Sequence, residues 1–330
     1  MVRDVWPFHS HMRRMCRDSL QFLPWNPILR PMSDAVSPAA PPADAVKAAR
    51  LAAASLALKK KMATATLVKK EILGGGRLGI FVLKPDQGER WWYQAGQYTT
   101  LGLDTPTGFV ARAYSIAGSP LDAGTLEFYI ALVEGGALTP TLFAQEPGST
   151  FHFLSPKGKF TLAEAERPIA VLVATGTGLA PFVAQIRSLW KLFKAGVPVP
   201  HRVVLFHGSA YSDEFAYRQE LEGYAAAKAD GFDFTYICTS SRPDPARGWT
   251  ERTAVGRVNE VVRHVFGAPV PEGRRVAMPA GVDAAAVKAL IDPSRTAVLA
   301  CGNPGMIEDL KDPIAASGID RYLVEEFWKA

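Results

Sequence analysis

The sequence predicts two domains in series: a small antiparallel β-barrel, then an α/β domain built on a parallel sheet. Three observations carry this expectation. Between Ala63 and Leu154, short β segments follow one another between turn-forming clusters. From Arg167 onward, apolar runs alternate with helical patterns, the texture of a parallel sheet with crossover helices. And 330 residues, 48% hydrophobic and 21% charged, suffice for two ordinary globular cores.

Residues 1–61 are expected to be an N-terminal extension, disordered apart from one helix. Residues 1–45 hold Trp6, Trp25, several prolines and five arginines without periodicity, and Val36–Ala43 has linker composition. No apolar core follows the arginines, which argues against a secretory signal. A translation start at Met32 is one reading of residues 1–31, and the intact mass of the native protein tests it. Residues 43–61 are Ala-rich, end in Lys59-Lys60-Lys61, and predict one helix with cations at its negative end. The expected first domain spans 62–165, with strands near 64–71, 78–84, 97–103, 110–117, 125–134 and 149–154 and a short helix near 139–145. Its turns fall at Gly74–Gly76, Pro85–Gly88 and Asp104–Gly108. Six such strands suggest a barrel. The expected second domain spans 166–330. Strands Ile169–Ala174, Val203–His207, Phe232–Cys238 and Ala297–Cys301 alternate with helices at 179–194, 213–228, 257–266 and 304–316.

Charge and cysteine usage exclude several functions. Residues 1–61 carry ten Lys/Arg and four Asp/Glu, a net of +6, which leaves 27 basic and 28 acidic residues, a net of −1, in 62–330. The basic balance therefore belongs to the extension, and no nucleic-acid role is expected. No apolar run is long enough to span a bilayer. Cys16, Cys238 and Cys301, an odd number at long spacings, fit a reducing compartment and an expected cytoplasmic location. No metal site is expected, since the cysteines do not cluster.

Several stretches carry chemistry. In Arg112-Ala113-Tyr114-Ser115, on a predicted strand, Tyr114 can lie on a planar ring, Arg112 can hold phosphate and Ser115 can hydrogen-bond a ring nitrogen. A plain exposed strand is the alternative. The run Thr175-Gly176-Thr177-Gly178-Leu179-Ala180-Pro181 leads a buried strand through a glycine turn into a helix, where backbone N–H groups can meet a nucleotide phosphate. Its third fingerprint glycine is replaced by Pro181, which suits a first helical turn. A tight turn without ligand is the alternative. Ser241-Arg242 and Gly256-Arg257 lie at the carboxyl edge of the sheet, and their arginines can take a 2′-phosphate or be simply solvated. Gly136-Ala137-Leu138-Thr139 offers a second phosphate site or an ordinary loop. Cys301 ends the last core strand ahead of Gly302-Asn303-Pro304, and packing is its usual role. The chain closes on aromatics, Phe327-Trp328.

In this order and spacing, Arg112–Ser115, Gly136–Thr139, Thr175–Pro181, Cys301–Pro304 and an aromatic C-terminus resemble the ferredoxin/flavodoxin–NADP⁺ reductase family, bacterial type, over residues 63–330. The resemblance implies an FAD barrel followed by an NADP(H) domain. It implies that Arg112 holds the FAD phosphates, Tyr114 stacks on the flavin, and Ser115 bonds flavin N5. Ala113, Tyr129, Ile130, Ala131, Leu132, Gly136, Ala137, Leu138, Thr139 and Thr177 would line the FAD. Thr175, Gly176, Gly178, Pro181, Ser241, Arg242, Arg257, Gly302, Asn303 and Pro304 would serve NADP. Cys301 would sit near the nicotinamide, and Trp328 (or Phe327) would cover the flavin's other face, to be displaced before hydride transfer. One position departs from the pattern: Ala210 stands where the family often has an arginine after the second strand.

The implied activity is hydride transfer between NADP(H) and FAD and single-electron transfer to ferredoxin or flavodoxin, a small acidic carrier. Lys69, Lys70, Lys157 and Lys159 are candidates to meet that carrier, or are a solvated face. A monomer is expected. The competing expectations are an NADH-dependent reductase serving an oxygenase and a flavin-binding sensor without turnover.

Overall fold

The computed structural model describes residues 43–86, 92–122 and 124–326. Residues 1–42 of the extension, the Pro85–Gly88 turn beyond Asp86, and Phe327 and Trp328 therefore lie outside the described residues. Helix α1 (Ala43–Lys59) precedes the first domain. The chain divides into units Met1–Val46 and Lys47–Ala330, and both sheets belong to the second.

The first sheet contains β1 (Ala63–Leu73), β2 (Leu78–Pro85), β3 (Tyr98–Thr105), β4 (Gly108–Ser115), β5 (Leu126–Ala131) and, after the short helix α2 (Thr139–Phe143), β6 (Thr150–Phe153). Its order is β4-β3-β6-β1-β2-β5 with antiparallel pairing throughout. An Ile116–Phe128 bridge joins the end of β4 to β5 and closes the sheet on itself. The interior is filled by alternating inward residues, among them Leu67, Phe81, Leu101, Phe128, Phe151 and Phe153. The strand expected over 125–134 stops at Ala131, because Val133 turns away to bond Thr139.

The second sheet contains β7 (Ile169–Thr175), β8 (Arg202–Ser209), β9 (Phe234–Ser240), β10 (Ala254–Val255), β11 (Thr296–Gly302) and β12 (Arg321–Glu326), in the order β10-β9-β8-β7-β11-β12, all parallel. The helices between them are α3 (Leu162–Ala165, just before β7), α4 (Ala180–Lys194), α5 (Arg218–Ala226), α6 (Val258–Phe266), α7 (Ala284–Lys288), α8 (Pro304–Asp309) and α9 (Lys311–Ala316). Strands after β7 step outward on one side and β11 begins on the other, so the sheet switches direction between β7 and β11. Ligands of open α/β sheets bind at such a point.

Two expected helices are broken, each for a local reason. The run 213–228 is a 3₁₀ turn (Ser212–Glu214), then Tyr217 with φ 61°, then α5. The kink lets the buried Tyr217 hydroxyl donate to Glu127 of the barrel at 2.9 Å. The run 304–316 splits into α8 and α9 around Leu310. Pro313 has no N–H for the Asp309 carbonyl, which instead accepts from Arg263 at 2.7 Å.

Side chains join the two domains. Arg187 of α4 donates to Glu127 of β5 at 2.6 Å and forks onto Glu220 of α5 at 2.5 and 2.7 Å. Gln185 donates to the Phe160 carbonyl at 2.8 Å, Ser119 bonds Ser188 at 2.8 Å, and Arg77 pairs with Glu214.

Candidate functional site

β4 changes partner at its end: Ser115 pairs with Tyr98 of β3, and the next residue, Ile116, bridges to β5. At this corner Arg112, Ala113, Tyr114 and Ser115 all face one cavity of about 800 Å³, although strict alternation would have sent Ser115 away from Tyr114. Tyr129, Ile130 and Ala131 of β5 form another wall, and Gly136, Ala137, Leu138 and Thr139 a third. Thr177 and Ala180 reach in from the second domain, and Glu326 of β12 closes one edge.

Local chemistry shapes these walls. Thr139 accepts from Val133 N at 3.0 Å and donates back to its carbonyl at 3.2 Å, folding 133–139 into a tight loop. A side chain at Gly136 would meet the Val133 carbonyl at 2.9 Å, so glycine is needed there. Burial pushes the Tyr114 phenol up to about 12, against a smaller opposing effect of Arg112, and keeps it neutral. The Arg112 guanidinium is exposed and donates to the neighbouring Ala111 carbonyl at 2.8 Å. Ser115 is 3% exposed, and its hydroxyl has no hydrogen-bond partner among the described residues. A buried polar group left unpaired beside a cavity of this size fits a ligand that supplies the partner. A planar, phosphate-bearing cofactor such as FAD matches the donor set of phenol, guanidinium and hydroxyl.

A second groove runs along the carboxyl edge of the parallel sheet. One cavity, about 540 Å³, is bounded by Thr175, Gly176, Gly208, Ser209, Ala210, Ser241, Arg257 and Asn303. Ser241 and Arg257 also border an adjoining cavity of about 340 Å³, whose other walls include Arg242, Glu260, Arg274 and Arg275. At the switch point Thr175 Oγ1 accepts from Asn303 N at 2.8 Å, and the Asn303 side chain accepts from Gly305 N and Met306 N.

Several expected site residues border neither groove nor cavity. A Cβ on Gly178 would lie 2.2 Å from the Cys301 carbonyl oxygen, and one on Gly302 would lie 2.2 Å from Thr175 Oγ1. These glycines let β7 and β11 close on each other. Pro181 and Pro304 stand at the first turns of α4 and α8. Leu132 turns its N–H to the Arg77 carbonyl at 2.8 Å. Cys301 is fully buried, with a thiol pushed well up by burial, so the structure gives it a packing position and not a nucleophile's. Of the four lysines, Lys69 pairs with Glu71 and Lys70 with Glu146, while Lys157 sits over the Tyr98 ring.

Sequence reasoning missed Arg274, Arg275 and the two acids of β12. Glu325 lies in register with Cys301, and burial raises its carboxyl to about 7. Both acids stand in the sequence, but only the pairing of β12 with β11 brings Glu326 to the cavity edge and Glu325 beside Cys301.

Both domains match known protein families. Residues 64–162 match the oxidoreductase FAD-binding domain model and residues 172–312 the oxidoreductase NAD-binding domain model. The chain is 35% identical over 182 residues to ferredoxin–NADP reductase B of Sorangium cellulosum, covering 55% of this chain and 71% of that protein. It is 31% identical over 175 residues to the phenol hydroxylase P5 protein of Acinetobacter pittii, covering 53% of this chain but only 46% of that protein. The fold is shared with a ferredoxin NADP⁺ reductase from Neisseria gonorrhoeae crystallised with FAD and NADP, at a TM-score of 0.62 and 20% identity over 81% of this chain and 99% of that one.

Proposed function

Since the chain belongs to the ferredoxin–NADP⁺ reductase family, oxidoreductases that bind FAD and a nicotinamide dinucleotide, we propose that it passes hydride between NADP(H) and FAD and single electrons between FAD and a separate ferredoxin or flavodoxin. When bound, FAD supplies the coupling between two-electron and one-electron steps. The protein's part is to bind, orient and shield.

The carrying observation is the cavity between the domains, where the Arg112–Ser115 corner meets Thr177 and Ala180. In this reading residues 62–165 hold FAD and residues 166–330 hold the dinucleotide. The Arg112 guanidinium takes the FAD phosphates, and the neutral Tyr114 ring lies along the flavin. The orphan Ser115 hydroxyl bonds flavin N5. Thr175, Gly176 and Asn303 receive the dinucleotide at the switch point, and Ser241, Arg242 and Arg257 receive its 2′-phosphate.

The test is the visible spectrum of the purified protein under anaerobic conditions. NADPH is expected to bleach the flavin band, and a ferredoxin or flavodoxin to restore it. A flavin that stays oxidised with NADPH and NADH alike would leave a sensor without turnover. A second reading, an NADH-linked reductase serving an oxygenase, is favoured by Ala210 and by the likeness to the phenol hydroxylase protein. Bleaching by NADH in preference to NADPH would select it.

A further inference from the structure

The groove along the parallel sheet does not end at Ser241 and Arg257. It continues into a chamber of about 340 Å³ whose far wall comes from the long connection between α6 and α7. That connection is pinned to the sheet. Val255 N donates to the Ala277 carbonyl at 2.9 Å, and Ala277 N donates back at 3.1 Å. The approach is close: a Cβ on Gly256, whose φ is +123°, would lie 3.0 Å from the Arg275 carbonyl. Glycine at this position therefore lets the connection lie against the start of α6.

The pinned segment brings Arg274 and Arg275 to the same chamber as Arg242 and Arg257, so four arginines and one glutamate, Glu260, border it. Glu260 is buried at 4% exposure and organises this wall. One of its oxygens accepts from Arg257 N at 2.9 Å, and the other lies 3.4 Å from Arg274 Nε. The four arginines are exposed, and a formal excess of three positive charges in a concave site suits a multivalent anion. The neighbouring cavity shares Ser241 and Arg257 with the chamber and leads to the Thr175–Gly176 turn. A dinucleotide with its pyrophosphate at that turn would therefore direct its adenosine end into the arginines.

We infer that Arg274 and Arg275 are specificity-determining residues that grip the 2′-phosphate of NADP(H), supplying from the α6–α7 connection the charge that Ala210 does not supply after β8. This rests on the NADP(H) reading above and adds to it two residues from outside the strand-end positions. The phosphomonoester dianion distinguishes NADPH from NADH, so the two arginines act on the choice of nucleotide and not on the hydride step.

The experiment uses the FAD-loaded full chain. Arg274→Ala, Arg275→Ala and the double variant are compared with the wild type for NADPH and NADH turnover. Calorimetry gives the affinity of 2′,5′-ADP and 5′-AMP, a readout independent of turnover. Removing each charge-assisted hydrogen bond is expected to raise the NADPH KM and the 2′,5′-ADP Kd about ten- to a hundred-fold. The kcat, the NADH kinetics and the 5′-AMP Kd stay unchanged. Arg275→Lys, which keeps charge but loses the fork, should fall between wild type and Arg275→Ala. If the wild type shows no preference for NADPH, the NADP(H) reading itself fails. If the wild type prefers NADPH and the double variant keeps that preference, the reading stands and this inference is overturned. A double variant that instead loses affinity for the acidic carrier alone would overturn it in favour of a docking role.

Discussion

Ser115→Ala should move the protein in opposite directions with and without FAD. The Ser115 hydroxyl is 3% exposed and unpartnered among the described residues. A buried polar group in that state costs about 1–3 kcal/mol. Alanine removes the group while leaving the backbone pairing of residue 115 with Tyr98 intact. The apoprotein variant should therefore be more stable by about 1 kcal/mol, which in a chain of this size raises Tm by about 2–4 °C. With FAD present the sign reverses for binding. The variant gives up one neutral hydrogen bond to the cofactor, about 1 kcal/mol or a fivefold weaker Kd. It should also slow flavin reduction by NADPH while FAD stays bound. Thermal scans of apo- and holoprotein, together with stopped-flow reduction, read all three effects. An apoprotein variant less stable than wild type would mean that the hydroxyl is satisfied within the protein. Loss of FAD with unchanged reduction of the remainder would mean that Ser115 anchors the cofactor and does not face its reacting edge.

Three further outcomes follow from the geometry. Glu325 holds a proton in the folded state up to about pH 7 that the unfolded chain releases near 4.5, so stability should fall as pH rises through that window. The effect is at most about 3 kcal/mol; Glu325→Gln should flatten the slope in pH-dependent denaturation, and an unchanged slope would assign it to other groups. Gly178→Ala should destabilise by about 1–3 kcal/mol or more because its Cβ would press on the Cys301 backbone, whereas Gly176→Ala, in open space but at φ +52°, should cost only about 1–2 kcal/mol. Denaturant midpoints in the reverse order would contradict the close approach of β7 and β11. Arg187→Met leaves Glu127 and Glu220 without their shared cation and should cost about 2–3 kcal/mol, less than a fully buried pair because all three side chains keep some exposure to water; adding Glu127→Gln should recover part of the loss, and strict additivity of the two would deny their coupling.

The interdomain ties explain why that last variant bears on function as well as stability. The cavity of about 800 Å³ takes most of its wall from the barrel, but Thr177, Ala180 and Glu326 come from the second domain. A shift of one domain against the other would separate these walls without breaking either core. Arg187, Gln185 and Ser188 all lie on α4, the helix that begins at the Thr177 turn, and all bond to the barrel. The helix that follows the Thr175–Gly178 turn, the expected dinucleotide turn, is thus the one clamped to the first domain. Loss of Arg187 should therefore alter hydride transfer more than FAD affinity.

Features that depend on neighbours in the chain are legible in the sequence. The barrel strands and the parallel strands show in hydrophobic period and run length, and the Arg112–Ser115, Gly136–Thr139 and Thr175–Gly176 segments show as short constellations. What is not legible depends on distant partners. Nothing near Tyr217 marks it as the break in a helix, because the break serves a bond to Glu127, 90 residues earlier. Pro313 is a visible helix hazard, but the compensation by Arg263 needs α6 and α8 to be neighbours. Arg274 and Arg275 sit in a stretch rich in Pro and Gly without period, and the Val255–Ala277 pairing, with Ala280 N on the Glu251 carbonyl, holds them beside Arg257. If Arg274 and Arg275 grip the 2′-phosphate as inferred above, the lack of an arginine at Ala210 is a local fact whose effect on coenzyme choice is not local. Positive charge in a cavity is summed over every wall, and a fold can supply from a connection what a strand end lacks.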